Sequence, residues 1–122
     1  MAWTYQQSSG KLTDPSGAMI GIGYSGHGPG LNKPALEASR GVGPIPAGHW
    51  RIHPPLDPPD HLGPIAMPLT PVDFDPHGRS AFFMHGDNAA MDFTASDGCI
   101  IMSHAIRAAV DASPDSDLTV IA

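Results

Sequence analysis

The sequence predicts a mainly β domain with one short helix late in the chain, and three observations carry that prediction. Gly 14 and Pro 14 are scattered through 122 residues, and a proline at nearly every turn of the first two thirds breaks any long helix. Trp3, Tyr5 and Gln7 alternate with Thr4 and Gln6, the period of a half-buried strand. Helical spacing with a cap and a stop appears once, between Ser103 and Ser113. At 122 residues the chain, 1–122, is one domain with one core.

The elements follow in order. Residues 3–7 form a strand, Ser8-Ser9-Gly10 a turn, and Lys11-Leu12-Thr13 a short return strand, closed by the Asp14–Gly17 turn. Residues 18–24 read as a third strand, thinned on one face by Gly21 and Gly23. His27-Gly28-Pro29-Gly30 is an open loop, and Pro34 starts a helical turn within 34–40. The turn-rich 43–48 segment leads into a strand over 49–53, and a Pro-rich loop covers 54–64. Residues 65–69 and 81–84 are strands, and 99–102 is a short apolar run. Ser103 caps a helix whose Ile106 and Val110 share a face, Ser113-Pro114 stops it, and 118–121 is the last strand.

Lys+Arg 6 stand against Asp+Glu 12, and the six cations form no stripe. A nucleic-acid binder needs such a stripe to displace counterions, as does a protein that adheres to anionic lipid. No apolar run approaches the ~20 residues that cross a bilayer, and residues 1–7 resemble no Sec signal. Neither nucleic acid nor membrane insertion is therefore expected.

The single cysteine, Cys99, cannot belong to a disulfide framework. It is either a small buried hydrophobe or a reactive thiol. Its surroundings favour chemistry. An apolar strand ends at His85, followed by Gly86-Asp87, and ten residues separate His85 from Ser96-Asp97-Gly98, which delivers Cys99 into another apolar run. A free thiol of pKa about 8.5 is only a few per cent thiolate at neutral pH, so a neighbouring imidazole is what activates it and later protonates a leaving amine. Gly98 permits a tight turn, and the amides at Gly98 and Cys99 are candidate donors to an oxyanion.

Other candidates carry two readings each. Asp87 is a turn former beside Asn88 or the group that orients His85. Arg79 is a solvated loop cation or a bidentate carboxylate ligand, and Ser80 sits beside it. His49 and His53 are spaced as zinc ligands only on a helix, whereas their segment reads as a strand. His27, His61, His77 and His104 read as surface residues.

His85-Gly86 followed by Ser96-Asp97-Gly98-Cys99-Ile100 resembles the L,D-transpeptidase signature. The order of Trp3-Thr4-Tyr5, Gly43–Gly48, Gly78-Arg79-Ser80, His85-Gly86-Asp87 and Ser96–Ile101 is similar to that of the small L,D-transpeptidase-like effectors of type VI secretion. The resemblance covers nearly all of the chain and implies an L,D-transpeptidase-like β-sandwich with one short late helix. It also implies an antibacterial enzyme acting on peptidoglycan stem peptides, by L,D-carboxypeptidase trimming, D-amino acid exchange, or both. Cys99 would be the nucleophile, His85 the base, and Ser96, Asp97 and Gly98 the shaping loop, with Arg79, Ser80, Gly86 and Asp87 binding or orienting. Asp97 departs from the signature, which has a second His there, and the His-to-Cys interval is shorter than usual. The chemistry needs no metal or organic cofactor. The implied site of action is the periplasm of a target cell, reached through a dedicated secretion system, and the implied partner is a cognate immunity protein. A zinc-dependent wall hydrolase and a non-catalytic binding module are the alternatives.

Overall fold

The computed structural model describes residues 2–58 and 62–122, so the expectation for His61 lies outside the described residues. Nine strands among these residues form one hydrogen-bonded sheet that nearly closes on itself, accompanied by one short helix. In chain order they are β1 (Ala2–Gln6), β2 (Lys11–Thr13), β3 (Met19–Ile22), β4 (Tyr24–Ser25), β5 (Gly48–Ile52), β6 (Met67–Pro71), β7 (Phe82–His85), β8 (Ile100–Ile101) and β9 (Asp117–Ile121). The helix α1 spans His104–Ala112. Across the sheet the order is β3-β2-β1-β9-β5-β6-β7-β8-β4. Two pairs, β1 with β9 and β7 with β8, are parallel.

The expected strand over 18–24 is instead two strands on opposite borders of the sheet, parted at Gly23. The cause is local crowding. A Cβ on Gly23 would lie 1.8 Å from the Ile101 carbonyl oxygen, and one on Gly10 would lie 1.9 Å from the Gly23 oxygen. Two backbones therefore press against Gly23, whose N–H donates to the Gly10 carbonyl at 2.8 Å. One piece of chain thus serves both borders and draws them together.

Two other strands start later than expected. Ile65 and Ala81 have φ of +54° and +62°, left-handed conformations that a strand does not use. β6 and β7 accordingly begin at Met67 and Phe82. The expected helical turn is a 3-10 turn over Pro34–Leu36, and a second one occupies Gly28–Gly30, where an open loop was expected. Ser103 caps α1, its side chain accepting from the Ile106 amide at 3.3 Å.

Because the sheet curls, Leu12 of β2 and Ile100 of β8 belong to the same buried cluster despite lying near opposite borders. Trp50 is 1% exposed, and its ring meets Phe82 and Phe74 edge-on at centroid distances of 4.9 and 5.4 Å. Its indole N–H donates to the Pro46 carbonyl at 3.0 Å, which satisfies the one polar atom it buries. Burial of an aliphatic or aromatic side chain of this kind contributes about 1.5–3 kcal/mol, and this cluster is the floor on which β7 and β8 lie. No helix among the described residues is long and apolar enough to cross a membrane.

Candidate active site

β7 sends Phe82 and Met84 into the core, so its alternate residues, Phe83 and His85, take the other face. β8 runs parallel to it with Met84 opposite Ile100 and His85 opposite Ile101. Continued one residue back, this register sets Cys99 opposite Phe83, on the face that His85 shares and one diagonal step away from it. Both side chains line a cavity of about 520 Å³ whose wall also includes Arg40, Ser80, Ala81, Phe83, Asp97 and Gly98. A volume of this size suits a peptide-sized ligand.

His85 is 5% exposed. Its Nδ1 lies 2.8 Å from the Gly86 carbonyl oxygen, and a carbonyl only accepts. Nδ1 therefore carries the proton and Nε2 is the basic nitrogen. Gly86 is needed for close approach as well, since a Cβ there would lie 2.7 Å from Nη2 of Arg107. Arg107, 6% exposed, donates through Nε to Met102 O at 3.1 Å and through Nη1 to Pro64 O. The Met102 amide in turn donates to His85 O at 3.0 Å. Asp87 accepts from the Tyr24 hydroxyl at 2.7 Å and from the Asn88 amide at 2.9 Å.

The Cys99 sulfur lies 3.8 Å from Ala81 O. Burial pushes its thiol up to about 11; Asp97 adds to the rise, while the Phe83 amide and Arg79 oppose it. At neutral pH the group is a thiol, and the proton must leave as the sulfur attacks.

Ser96 shapes the turn that presents Cys99. Fully buried, its Oγ accepts from the Gly26 and Gly98 amides at 2.9 and 3.1 Å and donates to Cys99 O at 2.6 Å. The Gly98 amide, expected to face an oxyanion, is thus engaged within the turn. Gly98 has φ +132°, and a Cβ there would lie 2.3 Å from Nη2 of Arg79, so only glycine fits. Ser25 Oγ donates to Gly98 O at 3.1 Å.

Arg79 is not a solvated loop cation. It is 7% exposed, and its guanidinium donates to Glu37 O, Pro44 O, Gly43 O and Asp97 O at 2.5, 2.9, 3.1 and 3.0 Å. It also lies over the Phe82 ring at 5.1 Å. These bonds tie the 37–44 segment to the turn before Cys99. Ser80 and Asp97 are exposed on the cavity wall.

His27 is also not the free surface residue expected. Half-buried, its Nδ1 donates to Ser96 O at 2.8 Å and lies 3.5 Å from Asp97 Oδ1. His77 is exposed but meets Glu37 at 2.7 Å, and His104 is exposed as expected. His49 on β5 and His53 just after it approach Thr119 and Thr70 respectively. Among the described residues no three His, Cys, Asp or Glu side chains converge as a metal site would require.

Tyr24, Ser25, His27 and Arg107 all support the site, and no pattern in the sequence assigned any of them a role there. Tyr24, Ser25 and His27 act on residues more than 60 positions away along the chain and Arg107 reaches from α1 to Pro64, so no local spacing marks them.

No curated protein matches the chain. A family model does match: the Tlde1 domain aligns with residues 21–115, a span that contains His85, Cys99 and the turn joining them. The chain therefore belongs to the Tlde1 domain family of type VI secretion effectors.

Proposed function

We propose that the protein is a cysteine peptidase or acyltransferase of peptidoglycan stem peptides, with Cys99 as nucleophile and His85 as base. The observation that carries this reading is the pairing across β7 and β8. A cysteine and a histidine occupy one face and line one cavity, and the imidazole is held by Gly86 O so that Nε2 is its basic nitrogen.

The chemistry follows from the protonation states. Nε2 takes the proton from Sγ as sulfur attacks the carbonyl that joins the third stem residue to D-alanine. The oxyanion that forms needs a donor at the turn, and with the Gly98 amide bound to Ser96, this role falls to the Cys99 amide. Collapse breaks the C–N bond, the imidazolium protonates the departing amine of D-alanine, and a thioester remains on Cys99. Water then resolves it, returning a proton through Nε2 to the sulfur and leaving a tripeptide. A D-amino acid amine attacking in place of water gives exchange. The work is done in the periplasm of a target cell, and an immunity protein of the producer covers the cavity.

Incubation with purified tetrapeptide muropeptides, with and without D-methionine, tests this by mass. Loss of one alanine marks trimming, replacement by methionine marks exchange, and Cys99→Ala abolishes both. A Cys99→Ala protein that still trims would refute the mechanism.

A further inference from the structure

The cavity wall carries two arginines, and they are used differently. Four of the five N–H groups of Arg79 are donated to main-chain carbonyls, so it has no fork to offer a ligand. Arg40 is exposed, and its Nη2 donates to Gly78 O at 3.0 Å, which tethers the guanidinium at the wall. Among the described residues no other group takes its remaining donors.

The position matches the expected substrate. Gly78 and Ala81 are three residues apart, and an extended chain advances at most ~3.5 Å per residue, so their carbonyls lie within about 10 Å of each other. The Ala81 carbonyl is the one that touches the Cys99 sulfur. A carbonyl carbon poised for attack sits about 3–3.5 Å from the nucleophile. The terminal carboxylate of a tetrapeptide lies three bonds beyond that carbon, roughly 4 Å further, and a charge-assisted contact adds about 2.8 Å. The sum, about 10 Å, falls within the limit that this spacing and the two contacts at its ends set on the separation of sulfur and guanidinium, and both groups line the same cavity.

We propose that Arg40 binds the terminal carboxylate of the substrate and so selects stem peptides that end one residue past the bond to be broken. The inference rests on the stem-peptidase reading above. A guanidinium held by one Nη presents its other edge as a planar fork, the geometry that grips a carboxylate with two parallel bonds.

The test compares wild type, Arg40→Gln and Arg40→Lys on a tetrapeptide muropeptide and on the same peptide amidated at its C-terminus. Arg40→Gln is expected to lower kcat/KM on the free acid about 10–100-fold, the worth of a charged hydrogen bond, chiefly through KM. It is expected to leave the slow turnover of the amide unchanged, so that the acid-over-amide preference falls toward one. Arg40→Lys keeps the charge without the fork and restores only part of that preference. An Arg40→Gln enzyme that keeps the wild-type preference, or that loses both substrates in equal measure, overturns the role of Arg40 alone. Wild-type protein that releases neither D-alanine from the acid nor D-alanine amide from the amide overturns the stem-peptidase reading and this inference with it.

Discussion

At the scale of single residues, the pivotal quantity is where the Cys99 proton resides. Burial raises the thiol to about 11, so at any pH below that value less thiolate is present than on a free cysteine. In a His85→Ala variant, the rate of iodoacetamide alkylation is therefore expected to keep climbing through pH 9, to be half-maximal near pH 11 and to level only above it. A plateau near the pH of an ordinary thiol would mean that the sulfur ionises without help from the imidazole. Cys99 is the only cysteine, so adduct mass reports on it alone. The two candidate residues were legible in the sequence, because a histidine at a strand end and a cysteine after Ser-Asp-Gly are local patterns, and both line one cavity. The buried state of Arg79 was not. Its four carbonyl partners belong to segments 18 to 42 positions away, and a Gly-Arg-Ser run looks the same whether it faces water or a clasp.

At the scale of elements, β7 and β8 bring His85 and Cys99 to one cavity, and the segment joining them is pinned from β4. The Tyr24 hydroxyl donates to Asp87 and accepts from the Ala95 amide at 3.1 Å, and its ring meets Phe93 edge-on at 5.2 Å. One side chain therefore grips both ends of the segment between His85 and Cys99. Tyr24→Phe keeps the ring and removes both bonds. The expected cost is about 1–2 kcal/mol, read by urea unfolding, with faster amide hydrogen exchange confined to 88–94. Exchange no faster there than in wild type would show that the ring alone holds the segment. The strands of this region were legible through their apolar runs, and the clamp was not, since Tyr24 was read as the tail of a longer strand. What divides that strand is the close approach of Ile101 to Gly23, a contact between residues far apart in sequence.

At the scale of the whole molecule, the sheet curls until its borders share one piece of chain. The resemblance to a layered β fold anticipated opposing faces around a common core, and the buried cluster drawn from strands at both sides of the sheet meets that expectation. The closure itself was not legible, because a glycine within a strand signals a bulge, a bend or a close approach equally well. Gly23→Ala is expected to be severe. Its Cβ would fall 1.8 Å from a main-chain oxygen that cannot rotate away, a clash of the class that costs about 4 kcal/mol or more. Thermal melting followed by circular dichroism would register it as a large drop in Tm or as loss of the folded form. A variant melting within a few degrees of wild type would show that the seam yields easily.

The same seam bears on how the protein behaves in company. A sheet recruits strangers through long rows of unpaired amides and carbonyls at its margins. Here the margins are strands of four and two residues, consecutive in the chain and bent around one glycine. Such short, turned margins are a poor template for strand addition, which suits a strand-rich protein to crowded solutions without fibre growth.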